Sequence, residues 1–119
     1  MVEREVRRKK VRELLSDYEK QAREKWADST EESLDVVLNT CMNKSRAARA
    51  KLLSSSRAVV ALGQAFELVR DDLNEDEREE VLKALDFQRQ DFVDASEEFA
   101  RLEIMSMGLV GARNSLFPK

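Results

Sequence analysis

Residues 34–73, LDVVLNTCMNKSRAARAKLLSSSRAVVALGQAFELVRDDL, decide the fold. From Leu34 in steps of seven come Cys41, Ala48, Ser55, Leu62 and Val69, and beside them run Leu38, Ser45, Leu52, Val59, Phe66 and Leu73. All of these positions are apolar or small, and the two series alternate at steps of four and three. A seven-residue repeat held in phase for this long predicts a single helix that packs lengthwise against other helices. Ser54-Ser55-Ser56 is the one plausible break. The phase is identical on both sides of it, and serine in a helix costs only about 0.5 kcal/mol relative to alanine. The helix is therefore read as unbroken.

Working outward, Asn74 with Glu77 has capping-box spacing, and the acidic run Glu75-Asp76-Glu77 suits the positive end of a helix dipole. A second seam follows: Val81, Leu85, Gln88, Phe92, Ala95, Phe99, Leu102 and Ser106. So short a turn makes the two helices antiparallel. Registered about it, Phe66 faces Leu85, Leu62 faces Gln88, Val59 faces Phe92, Ser55 faces Ala95, Leu52 faces Phe99 and Ala48 faces Leu102. Upstream, Val2, Val6, Val11, Leu14, Leu15, Tyr18, Ala22 and Trp26 recur at helical spacing. Ser29 with Glu32 marks a boundary, and Asp28 or Thr30 could cap instead. Folded back, this first helix covers the N-terminal half of the spine up to about Arg57.

The predicted fold is all-α: an elongated three-helix bundle with a long antiparallel helix 2–helix 3 hairpin of coiled-coil character. It is read as one domain over 1–119, with helix 1 at about 2–26, helix 2 at about 31–73 and helix 3 at about 76–107. Gly108 or Gly111 is expected to end helix 3, leaving an apolar tail, 108–119. Three readings of that tail stay open: packing across the Trp26/Leu34 end, threading into a partner, or disorder.

Composition narrows function by exclusion. The chain has no histidine, one cysteine, one proline and three glycines. Imidazole base chemistry and most zinc sites are excluded, and no glycine-rich phosphate loop exists. The adjacent carboxylates Glu79/Glu80 and Glu97/Glu98 point different ways on a helix. The expectation is a protein that is not an enzyme and carries no catalytic residues, metal site or cofactor. Cys41, on the seam, reads as a small buried hydrophobe. A lone cysteine, an N-terminus without an apolar signal region and the lack of an uninterrupted apolar run of about 18 residues predict a soluble cytoplasmic protein with no membrane span.

The net charge of −3 hides strong segregation, with five basic and no acidic residues over 44–57 and thirteen acidic against four basic over 58–100. Between Val59 and Phe92 the hairpin has no first helix to cover it. Phe66, Leu73, Val81, Leu85, Phe87 and Phe92 are accordingly the expected protein interface, for a homo-oligomer or a helical partner subunit. The alternative is a nucleic-acid or anionic-membrane partner held by Arg7, Arg8, Lys9, Lys10, Arg12, Arg46, Arg49 and Arg57. Against it stands pairing of the mid-spine cations with Asp91, Asp94, Glu97 and Glu98, and the lack of interleaved stacking aromatics.

Overall fold

A computed structural model of the chain describes residues 2–118. It is all-α, with helices α1 (Val2–Lys25), α2 (Glu31–Val69) and α3 (Glu75–Leu116), and among the described residues there is no strand. α2 runs through Ser54–Ser56 without interruption.

Each boundary has a local cause. α1 carries Glu3 and Glu5 in its first turn and Arg23 and Lys25 in its last, the polarity its dipole favours. At the start of α2 the cap is Thr30, whose Oγ1 accepts the Ser33 N–H at 3.1 Å, so the Ser29–Glu32 spacing is not the one used. After Val69 the helix tightens into a 3-10 turn, Arg70–Asp72, and Leu73 is extended at φ −92° and ψ 144°. Arg78 Nε closes over this turn by donating to the Arg70 carbonyl at 2.8 Å. The capping box at the head of α3 is formed in both directions: Glu77 N–H donates to Asn74 Oδ1 at 2.8 Å, and Asn74 N–H to Glu77 Oε1 at 3.1 Å.

The end of α3 corrects the sequence reading. Gly108 and Gly111 do not stop the helix, which continues to Leu116. Neither has a positive φ, so neither forms the left-handed cap that glycine commonly supplies. Of the open readings for 108–119, the segment through Leu116 packs as helix; Lys119 lies outside the described residues.

The contacts divide the chain into two compact units where its length suggested one domain. The first comprises residues up to Arg46 with those from Ala100 onward, and the second is Ala47–Phe99. In the first unit Ala22, Leu34, Cys41, Leu102, Leu109 and Ala112 are buried, with Ser45 and Ser106 among them. Their polar atoms are satisfied. Ser106 Oγ donates to Cys41 Sγ at 3.3 Å, the Cys41 thiol points to the Leu102 carbonyl at 3.8 Å, and Ser45 Oγ donates to Glu103 Oε1 at 2.5 Å.

These contacts also correct the register, because the expected alignment set Leu102 against Ala48 and not against Cys41. The reversal lies earlier in the chain than expected, since Arg70–Leu73, read as spine, belong to the connection.

α1 is placed by an approach that the periodicity did not reveal. A Cβ on Gly108 would stand 2.6 Å from Tyr18 Cδ1 and 3.3 Å from the Glu19 backbone nitrogen, so α1 lies directly against α3 there. Only the second half of α1 is packed. Every residue from Val2 to Leu14 is exposed, which shortens the cover expected of this helix. Arg113 ties α3 to the first turns of α2 by a bidentate contact with Asp35 and a 2.8 Å pair with Glu31. Its guanidinium is held above its ordinary pKa chiefly by the hydrogen bond to Asp35, with burial opposing.

Candidate functional site

The second unit is the open one. Over Ala47–Phe99 only Ala48, Leu85 and Ala95 are buried. The seam residues Leu52, Ser55, Val59, Leu62 and Phe66 of α2, and Val81, Gln88 and Phe99 of α3, reach only partial burial. Two antiparallel helices bury one stripe on each and leave both flanks of that stripe wet.

Those flanks are apolar. Leu53 is 48% exposed, Val60 54%, Leu68 85%, Leu82 47%, Phe87 67% and Val93 43%. Counting about 100° per residue, Leu53 and Val60 lie on one flank of the α2 seam, and Leu82 and Val93 lie on the flank of the same sense on α3. In an antiparallel pair, flanks of like sense fall on a common face of the hairpin. A shallow groove on this face is lined by Val59, Val60, Gly63, Gln64, Glu67 and Leu68. A Cβ built on Gly63 would meet nothing within 4 Å. By the same count Phe87 lies on the opposite flank of α3, and Ala58, Ala61 and Ala65 lie on the matching flank of α2.

The expected interface residues separate on this geometry. Phe87 and Phe92 are exposed, while Phe66, Leu73 and Val81 are half-buried. Leu85, at 5% exposure, is hairpin core and holds α2 to α3 instead of offering itself to a partner. Leu53, Val60, Leu68, Leu82 and Val93 are exposed apolar residues that the expected interface did not include. The signal was present, since Leu53, Val60 and Val93 stand beside the seams, but their exposure depends on whether a third helix covers them.

The basic residues are divided between the units. Arg7, Arg8, Lys9, Lys10 and Arg12 stand on the uncovered half of α1, and Arg46 is also in the first unit, its Nη1 3.5 Å from Asn43 Oδ1. Arg49 and Arg57 are exposed in the second unit. None of these residues forms an ion pair among the described residues. Among the described residues the pairing expected with Asp91, Asp94, Glu97 and Glu98 is not made. Among the described residues the second unit's ion pairs join residues three or four apart in sequence: Glu67–Arg70 at 3.8 Å, Glu79–Lys83 at 3.6 Å and Asp86–Arg89 at 3.7 Å.

The first unit has an apolar cleft between its helices, floored by Ala22, Cys41, Leu102 and Leu109, with Lys25, Lys44 and Arg101 at its margin. The Lys25 ammonium lies 5.3 Å from the centre of the Trp26 ring. Among the described residues no group of three His, Cys, Asp or Glu could hold a metal ion.

One expectation about membranes changes. α2 is long and apolar enough, by length and composition, to cross a membrane, and none of its qualifying stretch is buried. The sequence reading sought an uninterrupted apolar run, whereas 52–69 contains only Arg57 and Glu67 as charges in an otherwise uncharged stretch. Comparison of the chain with protein-family models, curated proteins and solved structures gives no match.

Proposed function

We propose that this protein is a non-enzymatic helical interaction module whose hairpin, Ala47–Phe99, packs against further helices to complete a bundle. The observation that carries the reading is the mismatch between sequence and burial in that unit. Residues 58–66, AVVALGQAF, contain no charge, yet none is buried. A helix apolar on all sides is one surrounded by other helices. Covering Leu53, Val60, Leu68, Leu82, Phe92 and Val93 from about half exposure would gain roughly 1 kcal/mol each, half the value of full burial. From both sides of an interface, that gain is comparable with the ~4–15 kcal/mol that association costs in lost freedom. Contiguous exposed apolar surface of this kind marks interaction sites.

The membrane is the other medium that could cover 52–69. The hairpin argues against it, because α3 would enter together with α2 and carries Asp86, Asp91 and Asp94 along the same length.

The test is the mass of the full chain in solution and in lysate, for wild type and for Val60→Asp/Leu68→Asp. Both positions are exposed, so the double variant keeps its helix content and loses the larger species. An unchanged mass distribution would refute the reading.

A second reading rests on a separate observation. The uncovered half of α1 carries Arg4, Arg7, Arg8, Lys9, Lys10 and Arg12, none of them in an ion pair among the described residues. Unpaired cations of this density favour a polyanionic partner. Retention on heparin or anionic vesicles that falls steeply with salt, and is lost on charge reversal at Arg7–Arg12, would support it. The hairpin association should survive that same charge reversal.

A further inference from the structure

We propose that the hairpin face is covered by a second copy of this chain, packed antiparallel about a two-fold axis that crosses α2 beside Gly63. The inference rests on the interface reading above and assigns its occupant.

Charge changes sign along α2 from one side of the groove to the other. On α2, Arg49 and Arg57 stand upstream of the groove and Glu67 downstream, and the acidic Asp71 and Glu75 follow in the connection and the first turn of α3, all exposed. Neither arginine has an acidic partner among the described residues. Among the described residues Glu67 has only the exposed pair with Arg70 of the following 3-10 turn at 3.8 Å, a weak interaction at a wet surface. A face that is basic at one end and acidic at the other is complementary to itself when reversed. With the axis at the level of residue 62, Arg57 of each copy meets Glu67 of the other.

Apolar residues fall between these charged ends. Val60 packs near the axis beside the groove residues Gln64 and Gly63, and the two copies of Leu53 and Leu68 flank it. Gly63 suits the crossing point, because its open side lets a second backbone approach. A parallel arrangement would set Arg57 on Arg57 and Glu67 on Glu67. The reversed one turns the repulsion expected between two acidic turns into attraction, since each acidic end lands on the other copy's basic stretch. Interfaces that use the same patch twice are the commonest way for a chain to self-associate.

The experiment is sedimentation equilibrium of the full chain as wild type, Arg57→Glu, Glu67→Arg and a one-to-one mixture of the two variants. All the substituted positions are exposed, and circular dichroism confirms that helix content is unchanged. Wild type is expected to dimerise, with each variant weakening the dimer about tenfold or more, as for a close interfacial charge pair. The mixture should recover wild-type affinity. In the mixed dimer the introduced glutamate faces the introduced arginine, and the two native residues face each other.

Wild type that stays monomeric at hundreds of micromolar overturns the proposal, as does a mixture no tighter than its parents. Cosedimentation of wild type with anionic phosphatidylserine vesicles that is abolished by Val60→Asp also overturns it, in favour of a lipid-covered face. Loss of the second copy and loss of the hairpin interface give different results. A monomer whose lysate complex still disappears in Val60→Asp/Leu68→Asp refutes the second copy and keeps the hairpin as interface. A dimer indifferent both to those aspartates and to the charge exchange refutes the hairpin reading itself.

Discussion

The three glycines of this chain lie inside helices, and the structure predicts that replacing each with alanine has a different outcome. In an open helical site the exchange is worth about 0.8–1 kcal/mol in favour of alanine, because glycine has more backbone freedom to lose on folding. At Gly63 a new Cβ would meet nothing within 4 Å, so the full gain is expected. At Gly108 it would stand 2.6 Å from Tyr18 Cδ1 and 3.3 Å from the Glu19 backbone nitrogen. The ring carbon can move only with the whole ring, and the nitrogen only with α1. Overpacking of this kind costs about 1–3 kcal/mol, which cancels or exceeds the gain, so Gly108→Ala is expected to be net destabilising by about 1 kcal/mol.

Gly111 is the intermediate case. Its closest neighbours are Glu19 Cδ at 2.7 Å and the two carboxylate oxygens at 3.0 Å. These atoms are the far end of a flexible side chain, which can swing away, so Gly111→Ala should be neutral to slightly stabilising. The assay is thermal and urea unfolding at a protein concentration low enough to avoid self-association. Trp26 fluorescence reports the first unit, and circular dichroism reports the whole chain. A shift of roughly 4 °C in Tm per kcal/mol is expected for a domain of this size. Stabilisation by Gly108→Ala would mean that α1 does not lie against α3 at Tyr18. Equal effects at all three positions would mean that propensity alone decides and the close approach is absent.

Two further predictions concern the hairpin. Asn74→Ala removes the acceptor of the 2.8 Å bond from the Glu77 N–H and should cost about 1 kcal/mol, seen in equilibrium unfolding and as faster hydrogen exchange in the first turn of α3. Ala95, at 2% exposure, has no room for a larger side chain, so Ala95→Leu should cost about 1–3 kcal/mol, while Arg89→Leu at an exposed position should be nearly neutral in unfolding.

What the sequence made legible was what depends on one helix and its seam. The unbroken α2 could be read because the heptad phase before and after Ser54–Ser56 is the same, and the Asn74–Glu77 box because both partners lie within four residues. The end of α3 could not be read. A glycine that stops a helix by taking positive φ and one that admits a neighbouring helix look identical in a single sequence, and Gly108 is of the second kind. The register slipped for a related reason: Arg70–Leu73 continue the apolar and charged pattern of the spine, yet their backbone has already turned away from α-geometry. At the site, Phe87 was identified because it breaks a polar context. Leu53, Val60 and Val93 stand beside the seams, and whether such positions are wet depends on a covering helix that a single sequence does not reveal.

The contrast within α2 links fold to function. Near Cys41 and Ser45 the seam residues are small, and a third helix is present in the same unit, with Tyr18 and Ala22 at its packed end. There the flanks need not be apolar, and Lys44 and Arg46 stand beside the seam. Over 58–66 no third helix is at hand in the unit, and the flanks should therefore be the more polar of the two. They are the reverse, with no charge across about two and a half turns. Pressure from the hairpin alone would not hold Val60, Ala61 or Ala65 apolar, because two helices bury only the seam. A surface helix that merely tolerated water would be expected to carry charge on its far side, as α3 does at Asp86, Arg89 and Asp94. The asymmetry between the two helices points the same way: over 58–66 α2 carries no charge, whereas α3 carries Asp86, Arg89 and Asp94 on its exposed side, which favours α2 as the side that the proposed neighbour covers.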